Sequence, residues 1–199
     1  MIAPPLSSIN DTNSLTLLLS LLFEPSPPLH SLLVPSVVSR LSNSSLPQTY
    51  SDVVDLCAKV AEAWTWEQKG QFINGHPMIG EVKGLSKLSG KEQGNGGPTP
   101  EKTLDRLAHL NQVYCKVYPG LRYITFVNGR TKAQIIPEFE STLGLSASPN
   151  DPYWPAIESE VVLEKIQRPE EEGWRRECER GLRDVWLIGK ARLKALGLE

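Results

Sequence analysis

Apolar residues in this chain recur at spacings of three and four and almost nowhere alternate. That is the period of a helix, not of a half-buried strand. Val53, Cys57, Val60 and Trp64 fall on one helical face. Prolines and glycines cut the pattern into segments. Asn13-Ser14 can cap a helix through Leu15–Phe23, which Pro25, Pro27 and Pro28 end. A second covers Leu29–Leu41, and a third starts at Ser51 and continues, with a break, to about Ile73. Thr99-Pro100-Glu101 has the N-cap, first-turn proline and acidic first turn of another. Leu104, Leu107, Leu110, Tyr114 and Val117 form its buried stripe. A helix over Lys132–Leu143 and a last one from Glu170 to about Leu196 complete the set, and only Tyr123–Val127 is strand-like in composition. The expectation is an all-α, single-domain helical bundle over residues 1–199, with 1–12 flexible and 144–172 inserted.

A length of 199 residues suits one domain with a sizeable core and is short for two. The net charge of -2 supplies no basic face, so nucleic acid is not an expected partner. Arg175, Arg176, Arg180 and Arg183 alternate with Glu177, Glu179 and Asp184, the pattern of a solvated helix face. No apolar run reaches membrane-spanning length, so no membrane partner is expected either. Leu15–Phe23 is too short for a span and lacks the basic flank of a secretory signal. Cys57, Cys115 and Cys178 are odd in number and widely spaced, which fits idle thiols in a reducing compartment. The terminal Leu-Gly-Leu-Glu is not a peroxisomal signal of the Ser-Lys-Leu type, so the cytoplasm is the expected location.

His30, His76 and His109 have no metal-ligand spacing, and no metal is expected. The chain has no Walker loop, no GxGxxG and no GxSxG. His76 stands apart because Gly75 and Pro77 flank it at a helix end, where a fixed imidazole can handle a proton near neutral pH. Ser89-x-x-Glu92 reads on its own as a capping box, which leaves Gln93 unexplained. On a helical wheel of the last helix, Cys178, Leu182, Val185, Leu193 and Leu196 cluster, and Arg192 sits at the edge of that apolar face. A guanidinium there needs an anionic partner, and both a protein carboxylate and a ligand remain open.

Taken in order, these residues resemble one family. Trp66-Glu-Gln-Lys69, Ile73-Asn-Gly-His76-Pro77-Met78-Ile79-Gly80, Ser89-x-x-Glu92-Gln93, Leu110-Asn111-x-x-Tyr114, Tyr123-Ile124, Asn128-Gly129-Arg130 and Ile188-x-x-x-Arg192-Leu193 are similar to the motifs of the OHCU decarboxylases. OHCU is 2-oxo-4-hydroxy-4-carboxy-5-ureidoimidazoline. The resemblance implies an all-helical homodimer that needs no cofactor and converts OHCU to S-allantoin in urate breakdown. It implies His76, Glu92 and Arg192 as catalytic groups, with Pro77, Ser89 and Gln93 lining the site. It adds backbone groups around Leu121, Tyr123 and Ile124 as substrate contacts. The alternative is a helical binding protein of the same fold that binds a small anionic ureide or a protein partner without turning anything over.

Overall fold

A computed structural model describes residues 3–43, 47–81, 88, 90, 94, 99–145, 147–148, 151–152 and 154–199. Its elements are helical apart from one two-residue antiparallel pair, β1 (Ala147–Ser148) and β2 (Asp151–Pro152). The chain divides into two compact units, Met1–His76 with Cys178–Glu199, and Pro77–Glu177.

The first unit opens with α1 (Thr12–Leu22), whose N-cap is Asp11, not Asn13-Ser14. The Asp11 carboxylate accepts from the Ser14 amide at 2.8 Å. The segment before it, expected to be flexible, is packed: Ile9 is fully buried and Tyr50 Oη donates to the Pro4 carbonyl at 2.8 Å. The expected helix over residues 29–41 is a π turn, Leu29–Leu33, followed by α2 (Val34–Leu41). Pro35 has no N–H to donate, which interrupts an α ladder at that junction. The third expected helix is two, α3 (Tyr50–Glu62) and α4 (Trp66–Asn74). Each begins at a capping box, Thr49 with Asp52 and Thr65 with Gln68. Thr65 therefore marks the break.

The second unit is built on α5 (Glu101–Val117), followed by α6 (Lys132–Thr142) and the short α7 (Glu160–Leu163). Tyr114 of α5 packs against Tyr118, Tyr123 and Phe139, and Tyr123 stacks on Phe139 at 3.7 Å between centroids. Residues 123–127 are not a strand. Tyr123, Ile124 and Thr125 are buried consecutively, so the alternation a half-buried strand needs is missing. The expected insertion is tied to α5: the Gln167 amide donates to the Val117 carbonyl at 2.7 Å, and Trp154 stacks on His109.

The last helix, α8 (Glu172–Ala195), crosses from the second unit into the first. Its buried stripe is Trp174, Cys178, Leu182, Val185 and Leu193, close to the expected one. Within the first unit its Trp186 ring stacks on Phe72 at 5.4 Å and meets Phe23 edge-on at 5.4 Å. Phe23 and Phe72 are fully buried and Trp186 is half-buried, and aromatic side chains of this size dominate core energetics.

Candidate active site

The helix α4 delivers His76. Its N-terminus is fixed by the reciprocal Thr65–Gln68 hydrogen bonds, at 2.9 and 3.2 Å. It ends at Asn74 because Pro77 pushes the preceding residue out of the α region. The His76 amide donates to the Ile73 carbonyl at 3.0 Å. Its Nδ1 lies 3.3 Å from the Phe72 carbonyl oxygen. A carbonyl can only accept, so Nδ1 carries the hydrogen and Nε2 the lone pair. The ring stands edge-on to Phe72 at 5.6 Å, and the residue is 3% exposed.

Arg192 arrives from α8 and is 2% exposed. Its Nη2 lies 3.0 Å from Glu24 Oε1, and Nη1 donates to the Leu22 carbonyl at 3.4 Å. Glu24 is 8% exposed. The anionic partner that Arg192 requires is therefore present in the protein. Nothing in the sequence singles out Glu24, because Glu24-Pro25 has the form of an ordinary helix stop. The apolar wheel position of Arg192 signalled that a carboxylate was needed but not which one.

Three close approaches hold this cluster together. A Cβ on Gly75 would lie 2.6 Å from Ser26 Oγ, so the turn before His76 rests directly on the segment after Glu24. A Cβ on Gly189 would lie 2.6 Å from Phe23 Cε1, so α8 rests on the residue before Glu24. The Phe23 ring in turn meets Phe72 at 6.0 Å, one helical turn before His76.

The electrostatics follow from the geometry. Burial first, and then the Arg192 charge, bring the His76 pKa down from 6.5 to about 4, against the opposing pull of Glu24 and the carbonyls of Phe72 and Ile73. At neutral pH the imidazole is neutral and basic at Nε2. A neutral base beside a guanidinium can accept a proton from a group whose conjugate anion the arginine stabilises.

The other expected site residues are placed differently. Ser89, Glu92 and Gln93 lie outside the described residues. Pro77 begins the second unit. Leu121, Tyr123 and Ile124 are buried in the second unit, where the Leu121 amide donates to the Tyr118 carbonyl at 3.0 Å. Tyr123 Oη donates to Glu138 at 3.1 Å. Burial pushes the Glu138 carboxyl up, but hydrogen bonds from Arg130, Thr125 and Tyr123 and the Arg130 charge outweigh it and hold it below the usual range. Arg130 also donates to the Phe126 and Val127 carbonyls. The Asn128-Gly129-Arg130 motif thus builds a turn, with Asn128 and Gly129 both at positive φ. Asn111 and Tyr114 are likewise buried, donating to the Ile79 carbonyl at 3.0 Å and to Glu177 at 2.7 Å. Among the described residues no group of three or more His, Cys, Asp or Glu could hold a metal ion. Nor is any helix among them long and apolar enough to cross a membrane.

Among the described residues the fold is helical apart from the short β1–β2 pair, and its first unit buries a histidine, an arginine and a glutamate from three distant segments, the last two ion-paired. The chain belongs to the OHCU decarboxylase family, whose model matches residues 10–150. No curated protein matches it, and no solved structure does. The family implies a decarboxylase, a lyase, and supports a role in urate catabolism. The match covers His76 and Glu24 and ends before Arg192.

Proposed function

We propose that this chain decarboxylates OHCU to S-allantoin and carbon dioxide, without a cofactor, as a homodimer in the cytoplasm. The observation that supports the reading is that His76 and Arg192, two residues singled out from separate motifs, are both buried in the first unit, near enough for the Arg192 charge to act on the imidazole.

The substrate supplies its own electron sink. When the bond from ring carbon 4 to the carboxylate breaks, its electron pair forms a double bond to carbon 5. The former C=N pair moves onto nitrogen, which takes up a proton, and carbon dioxide departs. The hydroxyl hydrogen on carbon 4 must then reach carbon 5, leaving a carbonyl behind. The lone pair on His76 Nε2 is suited to take that hydroxyl proton and deliver it to one face of carbon 5, which sets the S configuration. Arg192 is suited to stabilise the oxygen that gains negative charge. By the family motifs, Glu92 would orient the imidazole and Ser89 and Gln93 would bind the ureido and ring groups, with Pro77 shaping the turn. Backbone groups of Leu121, Tyr123 and Ile124 complete the proposed contacts.

The test generates OHCU fresh from urate with uricase and the hydrolase that opens 5-hydroxyisourate, then follows circular dichroism. Rapid appearance of the S-allantoin signal, slowed about 10²- to 10⁴-fold in His76→Asn, is the expected result. A trace no faster than spontaneous decay, from folded protein, would favour the binding-protein alternative.

A further inference from the structure

We infer that Glu24 is a positioning residue for the proposed reaction: it fixes the guanidinium of Arg192 at the place where His76 can work with it. This rests on the decarboxylase reading above.

Neither the site motifs nor the residues assigned from them include Glu24. Three residues of one four-residue segment, 23–26, touch two walls of the cluster. Phe23 meets α8 at Gly189, and Glu24 meets the same helix one turn later at Arg192. Ser26 meets Gly75, the neighbour of His76. At both glycines a methyl group would lie well inside contact distance, so these approaches leave no slack. The loop is therefore a spacer that sets the distance between the His76 turn and α8. Glu24 is its charged member. A long, flexible arginine has many rotamers, and a buried carboxylate with the Leu22 carbonyl beside it selects one. Charge neutralisation alone would be a structural role; selection of a rotamer that serves the reaction is more, and the two differ in what they predict.

Glu24→Gln keeps the shape and one acceptor oxygen but removes the charge. Glu24→Asp keeps the charge and shortens the reach. Both are assayed with fresh OHCU, with thermal melts run in parallel. For a positioning role, Glu24→Gln lowers kcat about 10- to 100-fold while KM moves much less, and Glu24→Asp recovers part of kcat. Unchanged kcat per folded molecule in both variants, with only a lower Tm, overturns the inference. If Glu24→Gln does not fold, Glu24→Asp alone decides by the same kcat criterion. If the wild-type protein does not turn over OHCU, the decarboxylase reading fails and Glu24 is judged by NMR of the Arg192 guanidinium. Separate, slowly rotating N–H signals in the wild type that average in Glu24→Gln would support orientation by Glu24. Identical signals in the two proteins would sink it.

Discussion

The chemical role proposed for His76 comes with a measurable cost to stability. Its folded-state pKa, about 4, lies below its ordinary 6.5. The unfolded chain therefore takes up the proton first as pH falls. Stability is unaffected above about pH 7, declines between 6.5 and 4, and levels off below. The wild type is expected to lose on the order of 2 kcal/mol more than His76→Asn between pH 7 and 4.5 in urea unfolding. Equal losses would mean that the fold does not hold the imidazole neutral. His76 itself was legible in sequence because glycine and proline advertise a fixed turn. Arg192 was legible because a charge at the edge of an apolar stripe demands an explanation. Glu24 was not, because its partner is 168 residues away and nothing local distinguishes it from a helix end. Asn111, Tyr114 and Arg130 carry the motif signal as strongly as His76 does, yet their contacts here hold the second unit together. A motif records that a residue matters, whether to packing or to chemistry.

Among the elements, α4 matters most for the candidate site, since it ends two residues before the histidine. Its cap is local and reciprocal, so Thr65→Ala is expected to cost about 1 kcal/mol of stability in urea melts, with Thr65→Ser near neutral. The contact of α8 with Phe23 is less forgiving. The ring that an added methyl on Gly189 would strike is wedged against Phe72 and Trp186 and cannot swing away. Gly189→Ala is expected to destabilise by about 1–3 kcal/mol. A neutral Gly189→Ala would show that the loop spacing is adjustable and would weaken the spacer argument for Glu24. Helix positions were readable because periodicity and proline are local signals. Residues 123–127 misled because β-branched and aromatic composition reports burial as much as extension. The packing of residues 3–11 was hidden for the same reason as Glu24: the Pro4–Tyr50 bond closes over 46 residues.

At the scale of the whole molecule, the first unit is assembled from the two ends of the chain, residues before Pro77 and after Glu177. The last helix is therefore a structural part of the unit that carries His76, although the family match stops at residue 150. Trp186 provides the stacked partner of Phe72 and the edge partner of Phe23, Gly181 lies against Ile73, and Lys190 pairs with Asp55 at 2.7 Å. Phe23, Phe72 and Ile73 are buried and Trp186 is half-buried, so Trp186→Ala is expected to cost less than a full core truncation, about 2–3 kcal/mol. A chain ending at Glu171 loses all of these contacts together with Arg192. Its first unit would then expose Phe23, Phe72 and Ile73 with nothing to replace the lost surface, and a loss of that size approaches the whole stability of a domain. The truncated chain is expected to show no near-ultraviolet dichroism from this aromatic cluster and no cooperative urea transition for the first unit. A peptide spanning residues 172–199, added in excess, should restore part of both by mass action. A truncated chain that melts cooperatively, with the aromatic signal intact, would mean that residues 3–76 form a core of their own and that α8 contributes to chemistry without contributing to folding.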